Sequence, residues 1–169
     1  SDMRFSVAEL VSMIGKADRA IRKLLIDPPD FKVTPDVLRA IHEADLVVVG
    51  PGSLYTSIMP NLMQAECRNA LLETKAPVMY ICNIMTQPGE TANFSAADHV
   101  RVVYEHTASG LFDWIAVNTE PPPPDYLEKY KQEGATPVRV DVDALRRLGL
   151  RVLAGNFLKG DVPFMTADG

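Results

Sequence analysis

Apolar residues along the chain alternate between unbroken runs and helical stripes. Leu46 to Val49 are four consecutive apolar positions, three of them β-branched, as in a central parallel strand covered on both faces. Similar runs at 77–82, 114–117, 138–140 and 150–154 predict further strands. Between them, Val37, Leu38 and Ile41 follow Thr34-Pro35-Asp36, which is a cap candidate, a first-turn proline and an acid at the positive end of a helix dipole. Met63, Cys67, Ala70 and Leu71 mark the buried stripe of one crossover helix, with Gln64, Glu66, Arg68 and Glu73 facing out. Ser95 and Asp98 predict a capping box for a helix that buries Ala96, Val100 and Val103 and ends near Gly110. Shorter helices follow at 125–133, stopped by Gly134, and at 141–149. Residues 20–26 suit a strand or a helix, with the strand preferred, and Asp27-Pro28-Pro29-Asp30 ends the segment either way.

Strands alternating with helices predict an open, mostly parallel, Rossmann-like α/β sheet with helices on both faces, formed by residues 1–169 as a single domain. Ligands of such sheets bind outside the carboxyl ends of the strands, so the loops after 49, 82 and 117 are the places to look for function. Gly50-Pro51-Gly52 stops the first strand, Pro60 suits the first turn of the following helix, and that helix start offers backbone N–H groups to an anion. An ordinary tight turn explains the same residues, because the full dinucleotide fingerprint is missing.

Composition narrows the choice of partners. With 17 Lys and Arg against 22 Asp and Glu, the net charge is −5, which gives no support for broad attraction to nucleic acid or to an anionic membrane. No apolar run reaches the roughly 20 residues of a membrane span, and the expected location is cytoplasmic. Cys67 and Cys82 lack any metal-ligand or redox spacing and read as buried thiols. His42, His99 and His106 fall on predicted helices away from any nucleophile elbow, so no catalytic triad and no metal site are assigned. Glu90 with Thr91 could hold a ribose or a hydrated metal, or cap its own turn. Asn83 and Asn118 could present donors and acceptors to a base or sugar. Tyr126 and Tyr130, four apart on one helix face, could stack on a nucleobase, although packing is the commoner role of such a pair.

The stretches Gly50-Pro-Gly-Ser-Leu-Tyr-Thr-Ser-Ile-Met-Pro-Asn-Leu and Cys82-Asn-Ile-Met-Thr-Gln-Pro-Gly-Glu-Thr closely resemble the gluconeogenesis-factor (YvcK-like) family, which is related to CofD-like phospholactate transferases of the deazaflavin pathway. The resemblance extends through Phe94-Ser-Ala-Ala-Asp-His-Val and Tyr126-Leu-Glu-Lys-Tyr, over roughly residues 19–153. It implies a cytoplasmic regulator that binds a nucleotide sugar of the UDP-N-acetylglucosamine type and affects cell-wall precursor supply and cell shape. The alternative it implies is a transferase of phosphorus-containing groups, the one case in which magnesium would be expected. Carried over by motif, Gly50, Gly52, Ser53, Tyr55, Thr56 and Asn61 would line the site from the first loop. Asn83, Thr86, Gln87, Gly89, Glu90 and Thr91 would do so from the second. Asn118 joins them by its place at a strand end, and a tyrosine in the 126–130 segment resembles one expected against uridine. The family's Gly-rich opening loop and Asp-Asp-Gly-Gly segment are absent, as is its closing Arg-His-Asp stretch. The chain therefore looks like the C-terminal half of a larger domain, with a homo-oligomer as the expected assembly.

Overall fold

The structure, a computed structural model, describes residues 21, 23–26 and 32–158. Four parallel strands, β1 (Val47–Val49), β2 (Val78–Ile81), β3 (Trp114–Asn118) and β4 (Arg151–Gly155), lie side by side in chain order. Each connection crosses back over the sheet through helical chain, so all four carboxyl ends share one rim. The helices are α1 (Pro35–Glu43), α2 (Met59–Met63), α3 (Ala65–Glu73), α4 (Ala96–His106), α5 (Pro124–Gln132) and α6 (Val142–Arg147). A five-residue π-helical turn, Leu54–Ile58, precedes α2.

Strand register sorts the side chains into two faces. Val49, Tyr80, Ile115 and Val152 stand abreast on one, flanked by Val78 and Val117. This face packs against Leu54 of the π turn, Met59 and Leu62 of α2, Val100 and Val103 of α4 and Leu145 of α6, forming the core. On the other face stand Val48, Met79, Ile81, Trp114, Ala116 and Leu153, none of which belongs to the core cluster. Val48 is 51% exposed and Leu153 44%.

Several local expectations are corrected. The crossover helix is two helices, because Gln64 adopts an extended backbone and its side-chain oxygen caps α3 by accepting the Cys67 N–H at 2.8 Å. Residues 138–140 are not a sheet strand. Val138 donates to the Ile84 carbonyl at 2.8 Å and the Arg139 carbonyl accepts from Ala96 at 2.9 Å, so the stretch ties the second loop to the start of α4. Pro137, with no N–H to give, suits that irregular pairing. Residues 21 and 23–26 are not in a strand, although Ile21 and Leu24 pack against the core; Ala20 and Arg22 lie outside the described residues. Helix α1 has no fully buried residue, Val37 is exposed, and the Thr34 side chain makes no capping bond. Cys67 is half-buried, and both thiols are free.

The α4 capping box forms as the sequence implies. Asp98 accepts the Ser95 N–H at 2.8 Å, and the Ser95 hydroxyl accepts the Asp98 N–H at 3.2 Å. No helix among the described residues is long and apolar enough to cross a membrane.

Candidate functional site

Gly50 turns the chain off β1 with φ of +90°, and a β-carbon there would lie 3.0 Å from the Ile81 carbonyl oxygen. Only glycine meets both conditions without strain, so the first loop can pass directly over the end of β2. That crossing brings the first two loops within bonding distance. Asn83 Nδ2 donates to the Gly52 carbonyl at 2.9 Å while its Oδ1 accepts the Gly52 N–H at 3.4 Å. Gln87 Nε2 donates to Ser53 Oγ at 2.8 Å. A carboxylate oxygen of Glu90 accepts the Tyr55 N–H.

Glu90 therefore occupies one of the helix-start N–H groups that would otherwise be offered to an anion. It is 7% exposed, and its Oε2 is buried with no hydrogen-bond partner in the structure. Burial raises its pKa above the usual carboxylate value, against the lowering effect of the Tyr55 N–H. Tyr55 is buried too, and its phenol is pushed up first by that burial and then by the charges of Glu105 and Glu90.

Above these contacts a cleft of about 530 Å³ opens at the rim of the sheet. Gly52, Ser53, Asn83, Thr86, Gln87, Asn118 and Tyr130 all line it, so loops one, two and three and helix α5 each reach the same space. Thr86 is held by Thr136, whose N–H donates to Thr86 Oγ1 at 2.9 Å. Asn118 Oδ1 accepts the Phe157 N–H at 3.0 Å, which folds the chain after β4 back to the cleft.

The remaining expected residues do not line this space. Gly50 and Tyr55 lie beneath it as the turn and the buried anchor. Asn61 is exposed and donates to the Ser57 carbonyl of its own helical segment at 2.8 Å. Gly89, Glu90 and Thr91 belong to the turn that supports the second loop, where Thr91 Oγ1 accepts the Gln87 N–H at 2.9 Å. Thr56 is half-buried in the π turn, and Tyr126 is 60% exposed. Conversely, Ile81, Ala116 and Phe157 line the cleft without having been singled out. Phe157 was findable in principle, as an aromatic just past the last strand at the same sheet edge.

Among the described residues no group of three or more His, Cys, Asp or Glu is placed to hold a metal ion. Of the histidines, His99 is fully buried, with Nδ1 donating to the Ser95 carbonyl at 2.8 Å and Nε2 unpartnered. Burial lowers its pKa below the ordinary histidine value.

Residues 7–158 match the family described as 2-phospho-L-lactate transferase CofD. The chain is 40% identical over 153 residues to the gluconeogenesis factor of Bacillus subtilis, covering 89% of this chain and 48% of that protein. The gluconeogenesis factor of Halalkalibacterium halodurans is 40% identical over 147 residues, covering 87% and 46% respectively. A crystal structure of a UPF0052 family member from Bacillus halodurans superposes with a TM-score of 0.83 at 40% identity, covering 86% of this chain and 47% of that one. The chain thus spans about half the length of the relatives it matches.

Proposed function

The chain belongs to the CofD family, with gluconeogenesis factors among its relatives, and from that premise we propose that it is a regulator that binds a nucleotide sugar of the UDP-N-acetylglucosamine type. One observation carries this reading: the side chains of Ser53, Asn83, Thr86, Gln87 and Tyr130, drawn from separate loops and a helix, meet in a single cleft of about 530 Å³. That volume is of the size that holds small organic ligands. Carboxamides and hydroxyls supply both donors and acceptors, as sugar hydroxyls and a uracil edge require, and the Tyr130 ring on the cleft wall can stack on the base. In this reading the ligand reports the supply of cell-wall precursor, and the protein adjusts cell shape and carbon flow in response.

Calorimetric titration of this chain and of the intact Bacillus subtilis relative with UDP-N-acetylglucosamine tests the proposal. Saturable heat is expected, with affinity about tenfold lower in Tyr130→Ala, the loss of one stacking contact worth about 1.4 kcal/mol. Absence of heat in both proteins would count against it.

The family description favours a second reading, transfer of a phospholactate group. A nucleotide would leave an activated phospholactate donor as an acceptor alcohol takes the phosphorus, with magnesium balancing the phosphate charge. Nucleotide release that needs magnesium, the donor and an acceptor would support it, and an inert protein under those conditions would remove it.

A further inference from the structure

The seam between the first two loops holds two buried oxygens that no donor among the described residues reaches, Glu90 Oε2 and Gln87 Oε1. They belong to one turn, in which the Glu90 N–H donates to the Gln87 carbonyl at 3.1 Å. Both side chains are clamped to the same short stretch of the first loop. Gln87 Nε2 donates to Ser53 Oγ at 2.8 Å, and the other Glu90 oxygen accepts the Tyr55 N–H. Glu90 is 7% exposed, and neither orphan oxygen is open to a water-sized neighbour. Buried polar atoms without a partner are costly, and there is no room beside these two for a water molecule or a metal ion to repair the loss. A hydrogen carried by one of the two oxygens repairs both.

Charge gives the same answer. Glu90 takes part in none of the ion pairs among the described residues. The titratable side chains that act on this seam are Tyr55 and, beyond it on α4, Glu105, and neither supplies positive charge. An ionised carboxyl group buried there would be left uncompensated. The upward displacement of the Glu90 pKa by burial agrees with this.

We propose that Glu90 is a neutral carboxylic acid whose O–H donates to Gln87 Oε1, and that it is a positioning residue for the cleft, because the chain of donors it starts leaves the Ser53 hydroxyl hydrogen to the ligand. This rests on the reading of the cleft as a ligand site. Each link has one direction. With its oxygen taken by Glu90, the Gln87 amide turns its nitrogen to Ser53, and Ser53 Oγ, already accepting, keeps its own hydrogen for the cleft that it lines. None of the described residues lining the cleft is cationic, so such a donor suits an acceptor oxygen of a phosphate or a carbonyl. An ionised Glu90 would demand the reverse, with the amide turned over onto Glu90 and the Ser53 hydrogen directed inward to Gln87.

Infrared difference spectra of the ligand-free chain, wild type minus Glu90→Gln, test the proposal across a pH series. A protonated-carboxyl C=O band is expected in the wild type and should persist well above pH 4.5, the ordinary glutamate value. In Gln87→Leu the band should move to higher frequency, as for a carboxyl group that has lost its acceptor. Should Glu90→Gln fail to fold, wild type minus Gln87→Leu shows the same band as a shifted pair. Titration with UDP-N-acetylglucosamine adds a functional readout. Glu90→Ala should bind about tenfold more weakly, and Glu90→Gln, whose amide can donate to Gln87 and accept from Tyr55 as the acid does, should recover that loss. A carboxylate signal in place of the band above pH 4.5 would overturn the proposal and assign the turned-over amide. So would a band that Gln87→Leu leaves unmoved, or equal losses of affinity in Glu90→Ala and Glu90→Gln. The spectra need no ligand, so a cleft that binds nothing would remove the binding reading while the proton on Glu90 is still decided by the band.

Discussion

The two faces of the sheet share strands, register and backbone bonding, and they differ in what lies against them. On the covered face Tyr80 and Ile115 are wholly buried and touch side chains from helices far apart in sequence. On the other face Val48 and Leu153, equally apolar, are about half exposed. The difference teaches that the apolar content of a strand says how much it wants to bury, while stability comes only from the side that is packed.

The largest effect should come from the packed side. Ile115→Ala is expected to cost about 3 to 4 kcal/mol, from lost transfer free energy plus an unfilled cavity, measured by urea denaturation. An effect below about 1 kcal/mol would mean the covered face is not the core. Gly50→Ala is expected to cost about 2 kcal/mol, since it forces a side chain into positive φ and against the Ile81 carbonyl at 3.0 Å. Its loss should appear both in the denaturation midpoint and as weaker binding in the cleft, because this turn sets the first loop over the second.

A pH series separates the buried histidine from the rest. The folded pKa of His99 is lowered from 6.5 by burial. The unfolded chain therefore takes up a proton that the folded chain refuses, and stability is full above pH 6.5 and falls as pH drops through the folded value. Glu90 has the opposite sign: its raised folded pKa gives stability that is full below 4.5 and declines as pH rises through the folded value. His99→Gln should flatten the loss below 6.5, and Glu90→Gln should flatten the decline above 4.5, each followed by thermal melts across pH. The smallest effect belongs to the bare face, where Val48→Lys and Leu153→Lys should each move the stability of this chain by no more than about 0.5 kcal/mol. A loss there as large as that of Ile115→Ala would abolish the contrast between the faces.

Much of the sheet was legible because its signals are local. Apolar runs placed β1, β2, β3 and β4, and Ser95 with Asp98 announced the start of α4. The failures came where partners distant in sequence decide. Gln64 breaks a helical stripe that its own neighbours support, and residues 138–140 look like a strand but bond to loop carbonyls and to the start of α4. In the cleft, Ser53, Asn83, Gln87 and Asn118 come together from the loops that follow three strands, the sheet edge where such ligand sites are sought. Strand-end position did not distinguish side chains that face the opening from those, such as Tyr55, Glu90 and Thr91, that turn inward and hold the loops together. No periodicity carries that distinction, because loop side chains are oriented by hydrogen bonds across 30 or more residues, as between Gly52 and Asn83, which lie 31 apart. Nor does the sequence separate a strand face that is covered within the chain from one left open, since both are equally apolar.

The most direct check of the binding site is amide chemical-shift mapping of the isotope-labelled chain during addition of UDP-N-acetylglucosamine. The largest saturable shifts are expected at Gly52, Asn83, Gln87, Asn118 and Tyr130, on separate segments that meet at the cleft. Shifts confined to the amino ends of the strands, near Lys75 and Arg151, or no shifts at saturating ligand, would contradict it.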